Sequence, residues 1–242
     1  MGITVVKYSI FIPVMQSIIL LHGAIGAASQ FSRLAEALSG DFCVYTFDFP
    51  GHGGKDDSGA VFSMEFFAEA VLGFMAEQQL NKASIFGYSM GGYVGMYLAK
   101  HHPDKIDKVI TLATKFQWDE AIAANEVKML NPDKIEQKLP AFAESLSVMH
   151  APLDWKALLH KTANMLTALG VDNTLKPEDY TSLTTPSLLL LGDRDKMVTL
   201  DETLALYKTL PNAKLGVLPG TPHPIDQVDS KLLAFLIKAF VV

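Results

Sequence analysis

The sequence has little of three features that would indicate particular classes of protein. It contains one cysteine, Cys43, so it cannot form an internal disulfide, and the surrounding apolar run predicts a small buried side chain rather than a reactive thiol. Its 20 Lys and Arg residues are outnumbered by 26 Asp and Glu, which gives a formal net charge of −6 without any basic cluster. No segment is long and apolar enough to span a membrane. We therefore expect a cytoplasmic protein that has neither a nucleic-acid partner nor a membrane partner.

The apolar stretch of residues 8–21 resembles the core of a signal peptide in composition. Pro13 and the Gln16–Ser17 pair interrupt it, however, and cleavage at the small residues that follow would remove His22 and Gly23. We interpret this stretch as two buried strands.

Apolar runs alternate with helix-like segments in the first and last parts of the chain. Strands are predicted at residues 17–21, 42–47, 83–86, 107–113, 187–191 and 214–218. Helices are predicted at residues 29–39 with Ser29 as N-cap, 63–80 with Ser63 as N-cap, 90–101, 201–210 and 225–240. This alternation predicts an α/β fold with a mostly parallel, twisted sheet flanked by helices.

Residues 114–184 interrupt this alternation, because they contain no convincing strand and follow a helical pattern. We predict a helical cap in this segment, inserted into a core that comprises residues 1–113 and 185–242. Several large apolar side chains belong to the predicted cap, namely Trp118, Met129, Met149, Trp155 and Met165.

The pentapeptide Gly87-Tyr88-Ser89-Met90-Gly91 carries the strongest chemical signal. It has the pattern G-x-S-x-G and lies between a predicted strand and a predicted helix, which is the context of a nucleophile elbow. A sharp turn there would expose Ser89 at the start of the helix. It would also direct the backbone N–H of Met90 toward a developing oxyanion. The alternative interpretation is a tight turn with an inert serine.

A serine hydroxyl needs a general base, and the base needs an orienting acid. His223 follows the last predicted strand, and Asp193 and Asp195 follow the strand before it, so all three lie where open α/β sheets build their sites. We predict that His223 is the base and Asp195 the acid, with Asp193 as the competing candidate. The histidines of the predicted cap, His150 and His160, and those ending a helix, His101 and His102, follow no sheet strand.

The loop after the first strand predicts the second oxyanion donor. Leu21-His22-Gly23-Ala24 is followed by Gly26, and the backbone N–H of Ala24 is the candidate donor beside that of Met90. His22 is interpreted as a residue that organises the loop. The turn at residues 48–53, which contains His52, is interpreted as structural.

These elements together resemble the α/β-hydrolase family, in its single-domain form with a helical cap. The resemblance covers nearly the whole chain, and the motifs occur in the family's order. It supports Asp195, which is the fourth residue of a Gly-x-x-Asp element that begins at Gly192. One departure concerns Pro222, which stands where the family usually has glycine before the catalytic histidine. Proline lacks an N–H and cannot adopt positive φ, so the loop must hold His223 by a different path.

The resemblance implies a serine hydrolase that cleaves a carboxylic ester or related acyl bond through an acyl-enzyme. We expect a small, fairly apolar acyl substrate and neither an organic cofactor nor a metal. Two alternatives stay open. One is a non-catalytic ligand-binding receptor or scaffold on a hydrolase fold, and the other is a hydrolase of thioesters, lactones or carbon–carbon bonds.

Overall fold

Six parallel strands form one sheet in the computed structural model, which describes residues 15–241. The strands are β1 (Gln16–Leu21), β2 (Phe42–Phe47), β3 (Ala83–Tyr88), β4 (Ile106–Leu112), β5 (Ser187–Gly192) and β6 (Ala213–Leu218). Their order across the sheet is β2-β1-β3-β4-β5-β6, and every neighbouring pair is parallel. The predicted α/β class is therefore confirmed.

The α-helices of the described residues connect these strands. They are α1 (Ser32–Leu38), α2 (Met64–Glu77), α3 (Met90–His101), α4 (Glu120–Val127), α5 (Pro132–Lys138), α6 (Pro140–His150), α7 (Trp155–Val171), α8 (Pro177–Thr181), α9 (Leu200–Thr209) and α10 (Ser230–Val241). Helices α2, α3 and α9 contribute to the apolar cluster on one face of the sheet, and α1 and α10 contribute to the cluster on the other face. Successive residues of β1 enter opposite clusters, as the two-residue period of a strand requires.

The prediction that Cys43 is buried is wrong, because its side chain is exposed. Cys43 lies on β2, which is the edge strand of the sheet and pairs only with β1 in the described structure. The central strands β3 and β5 are buried along their whole length. An apolar run therefore indicated a strand at both places, but the position of that strand in the sheet decided how much of it is covered.

Two helix starts differ in how well they were predicted. Ser63 caps α2 as expected, since its side chain accepts a hydrogen bond from Phe66 N at 3.1 Å. Ser29 is not a helix cap, because it lies inside a 3-10 helix, Ala28–Phe31, that precedes α1. The N–H of Ala28 instead donates to Asp48 Oδ1 at 2.7 Å. A side chain 20 residues away thus accepts a hydrogen bond from the start of this helix, where a local capping residue was expected.

The closing helix predicted at residues 225–240 is two elements. A 3-10 helix spans Ile225–Gln227, and α10 begins at Ser230. Asp229 separates them, since its side chain accepts hydrogen bonds from Lys231 N at 2.8 Å and Leu232 N at 3.2 Å. This is the behaviour of a capping aspartate at the start of a helix.

The chain between β4 and β5 is helical in the described structure, with α4 to α8 and a 3-10 helix, Lys128–Leu130. The division into core and cap at residues 114–184 stays a prediction. Of the two strands expected in residues 8–21, β1 is observed, and the first lies outside the described residues. In residues 15–241, no helix has both the length and the apolar character that a membrane span requires.

Candidate active site

The register of the sheet brings four loops to one edge. Leu21 pairs with Gly87, Tyr88 pairs with Leu112, and Gly192 pairs with Leu218. The loops that follow β1, β3, β5 and β6 therefore begin next to one another at the carboxyl ends of the strands. Every candidate site residue lies in these loops or at the start of the helix that follows β3.

Ser89 forms a strained turn between β3 and α3. Its backbone has φ 50° and ψ −118°, a conformation that residues with a Cβ rarely adopt. Ser89 N donates to Leu112 O at 2.8 Å, and Thr114 Oγ1 donates to Ser89 O at 3.0 Å, so neighbouring backbone and side chain fix the turn. A Cβ at Gly87 would clash with Gly91 O. The turn therefore has no room for a side chain at Gly87.

His223 contacts Asp195 directly. The distance from His223 Nδ1 to Asp195 Oδ2 is 2.8 Å, and the two side chains are 12% and 1% exposed. The other carboxylate oxygen, Oδ1, accepts hydrogen bonds from Met197 N at 2.8 Å and Val198 N at 2.9 Å. Burial alone would raise the pKa of Asp195, but the hydrogen bonds from His223 and the two amides outweigh it and lower that pKa. Asp195 thus remains ionised and holds the imidazole through Nδ1, while Nε2 has no hydrogen bond to residues 15–241.

The competing carboxylate, Asp193, supports the histidine loop from a different position. Its Oδ1 accepts a hydrogen bond from Thr221 N at 3.2 Å, and Arg194 N donates to Thr221 O at 3.1 Å. Two consecutive residues after β5 therefore hold the residue that precedes Pro222. These hydrogen bonds hold the histidine loop in place with proline rather than glycine at position 222.

Tyr88 is a residue whose role the sequence reasoning missed. Its hydroxyl donates to His223 O at 3.0 Å, and the two rings have centroids 5.4 Å apart. Burial, together with the negative charge of Asp195, raises the pKa of Tyr88, so the hydroxyl keeps its proton and remains a donor. The only local signal was its place in the pentapeptide, because the partner lies 135 residues further along the chain.

A cavity of about 490 Å³ lies above this edge of the sheet. Ala24, Ser89, Met90 and His223 all contribute to its walls, so four of the five predicted site residues face one space. Asp195 lies behind His223. Among the hydrogen bonds of residues 15–241, none joins the Ser89 hydroxyl to the imidazole.

Residues between β4 and β5 complete the cavity and make most of its surface apolar. Of the five large apolar side chains singled out in the sequence, Trp118, Met129 and Met149 line it. Trp155 and Met165 are instead buried in apolar clusters, 9% and 4% exposed. The apolar character of this segment therefore serves both the cavity and the packing.

Three buried histidines lie beside the cavity rather than in it. His22 donates from Nδ1 to Gly23 O at 2.8 Å and accepts from Phe49 N at 3.2 Å, which ties the loop after β1 to the loop after β2. Burial lowers its pKa to about 4, against the opposing effect of the bond to Gly23. Burial also lowers the pKa values of His52 and His150. All three are therefore neutral at pH 7, and His22 organises its loop as interpreted from the sequence.

No group of three or more His, Cys, Asp or Glu side chains in residues 15–241 has the arrangement of a metal site.

Known proteins share both the sequence pattern and the fold. A family model described as the alpha/beta hydrolase fold matches residues 16–154, which is more than half of the chain. The chain belongs to the α/β-hydrolase family. A pimeloyl-[acyl-carrier protein] methyl ester esterase of Chromobacterium violaceum is 31% identical to it over 228 residues, which cover 85% of this chain and 86% of the esterase.

Two solved structures show the same fold at lower identity. MenH from S. aureus aligns with a TM-score of 0.77 at 19% identity, covering 97% of this chain and 96% of MenH. The enol-lactonase from Burkholderia xenovorans LB400 aligns with a TM-score of 0.75 at 20% identity, covering 94% and 92% of the two chains. The expected α/β-hydrolase fold is therefore confirmed.

Proposed function

We propose that this α/β-hydrolase is a serine hydrolase that cleaves a carboxylic ester or a related acyl bond. The observation that carries the proposal is the pairing of a strained Ser89 turn with a His223–Asp195 hydrogen bond of 2.8 Å, beside one cavity. Ester-type chemistry is also the activity named for the 31% identical relative.

In the proposed mechanism, Ser89 Oγ attacks the substrate carbonyl while His223 Nε2 accepts its proton. The same imidazole then protonates the leaving group, and water activated by it releases the acid from the acyl-enzyme. Asp195 orients the imidazole and stabilises its positive charge. Because Ser89 makes no hydrogen bond to His223 in the described structure, we expect its side chain to turn toward the imidazole when substrate binds, as is common in this type of site.

The backbone N–H groups of Met90 and Ala24 would stabilise the tetrahedral oxyanion. Met90 is the first residue of α3, so its N–H has no partner within the helix, and the helix dipole favours negative charge there. An oxyanion donor of this kind contributes on the order of 3–4 kcal/mol to the transition state.

The walls of the cavity support a small, fairly apolar substrate. Trp118, Met129 and Met149 would contact an acyl chain or an alcohol, and about 490 Å³ is within the range of small-molecule sites. We further propose that the protein acts in the cytoplasm on a small-molecule acyl substrate, without a nucleic-acid or membrane partner. The acidic net charge and single cysteine support this view.

Intact mass after treatment with a fluorophosphonate probe tests the proposal. We expect one adduct on the wild type and none on Ser89→Ala or His223→Ala. Hydrolysis of simple activated esters should be lost in the same two variants. If the wild type takes up no probe, or if Ser89→Ala turns over esters as fast as the wild type, the assignment of the nucleophile is wrong.

A further inference from the structure

A carboxylate lies in the otherwise mostly apolar wall of the cavity. Glu126 is part of α4, is only 9% exposed and lines the cavity. The nearest cation is Lys115, whose Nζ is 3.9 Å from Glu126 Oε1, which is longer than a hydrogen bond. In residues 15–241, no hydrogen bond reaches the Glu126 carboxylate.

Lys115 directs two of its three N–H donors to other acceptors, and at 3.9 Å its Nζ is too far from Glu126 Oε1 for the third to form a hydrogen bond. Its Nζ donates to Met197 O at 2.8 Å and lies 3.5 Å from Glu202 Oε2. Glu202 in turn accepts from Phe116 N through its second oxygen at 3.2 Å. Two carboxylates thus share one ammonium group, and Glu126 is the more distant of the two.

Because Glu126 lines the cavity, water can meet its carboxylate until a substrate fills that space. A substrate that displaces the water without offering a donor would leave the carboxylate without a hydrogen bond, which is unfavourable. Burial raises the pKa of Glu126, with Lys115 opposing the rise. Most of the cavity surface is apolar, and the indole N–H of Trp118 in its wall already donates to Lys115 O. A donor on a bound molecule would supply the missing partner.

We propose that Glu126 is a specificity-determining residue that accepts a hydrogen bond from a hydroxyl or ammonium group on an otherwise apolar substrate. This inference rests on the proposed hydrolase function of the cavity. With Lys115 and Glu202 the cluster carries one net negative charge when all three are ionised, so it disfavours a substrate that bears a carboxylate at the same place.

Two series of esters test the proposal. The first consists of ethyl hexanoate and its analogues with a terminal hydroxyl, ammonium or carboxylate group on the acyl chain. The second consists of butanoate esters of pentanol and of its analogues with a terminal hydroxyl or ammonium group, which places the donor on the alcohol side. Release of acid gives kcat/KM for each ester, with the wild type, Glu126→Gln, Glu126→Leu and the control Glu120→Gln. Glu120 is exposed on the same helix.

In one of the two series, the wild type should prefer the ester with a donor over its alkyl analogue on the order of 10- to 100-fold, the range of a hydrogen bond to a charged group. Glu126→Leu should lose this preference, and Glu126→Gln should keep it for the hydroxyl but lose it for the ammonium. Glu120→Gln should behave as the wild type.

A wild type without any donor preference, or a Glu126→Leu variant that lowers kcat/KM by the same factor for every ester, would overturn the inference. If these results come from a protein that labels on Ser89 and hydrolyses esters, only the role of Glu126 fails. If the wild type neither labels nor hydrolyses, the proposed function itself fails, and the inference with it.

Discussion

His150 should stabilise the protein by joining three segments that are distant in the sequence. It is the last residue of α6 and is completely buried. Its Nδ1 accepts a hydrogen bond from Gly53 N at 3.1 Å, and its Nε2 lies 3.1 Å from Ile25 O, to which it donates in the neutral tautomer that this pattern requires. Ile25 has φ 53° and follows Ala24, the proposed oxyanion donor.

The variant His150→Phe retains a ring but removes both hydrogen bonds. The Gly53 N–H and the Ile25 carbonyl would then lose their side-chain partner. Both hydrogen bonds are only partly buried, and such a bond contributes about 0.5–1.5 kcal/mol, so the two together predict a loss of about 1–3 kcal/mol in the free energy of unfolding. We also expect kcat to fall, because the Ile25 carbonyl helps to fix the loop that carries Ala24. His150→Gln, which can form one of the two bonds, should lose less.

Urea unfolding followed by circular dichroism measures the first effect, and ester hydrolysis measures the second. His160→Phe is the matched control, since His160 is exposed on α7. A free energy of unfolding for His150→Phe within about 0.5 kcal/mol of the wild type, which is the range of ordinary surface substitutions, would refute this reasoning.

Three further predictions concern the other polar groups of the site. The pKa of His22 is about 4 in the folded protein, below its ordinary value of 6.5, so the unfolded chain binds the proton more readily. Stability should therefore fall by about 3 kcal/mol as the pH drops from 6.5 to 4, and acid unfolding of His22→Gln should lack this component. Asp195→Asn should lower kcat on the order of a thousandfold or more, as loss of the orienting acid does in comparable triads, whereas Asp193→Asn should cost far less. In steady-state assays, equal losses would contradict this distinction, and a larger loss for Asp193→Asn would reverse the two assignments. Tyr88→Phe should lower kcat several-fold with little change in KM. It should also lower the free energy of unfolding by about 1 kcal/mol in thermal or urea unfolding. An unchanged kcat would show that the hydrogen bond from Tyr88 to His223 does not position the imidazole.

The sequence predicted the strands, the mostly parallel α/β class and the family, because these depend on local patterns. Apolar runs, capping residues such as Ser63 and the glycines around Ser89 act within a few positions along the chain. The predicted bond between Asp195 and His223 could be inferred because both residues follow neighbouring strands, and parallel strands end at one edge. The incorrect predictions for Ser29 and Cys43 concerned positions whose surroundings come from distant parts of the chain. The break in the predicted closing helix had a local cause instead, the capping side chain of Asp229.

The local sequence by itself determined where a turn that presents a serine could form and which candidate acid and base follow it along the chain. Only the tertiary structure decided what holds those groups in place. Tyr88 bonds the histidine loop, Asp193 supports the residue before Pro222, and His150 reaches the loop beside Ala24. Each of these contacts joins side chains or backbone groups far apart in the sequence, so no period or motif predicts it. These three directional hydrogen bonds of about 3 Å can form only after the sheet and its helices have packed.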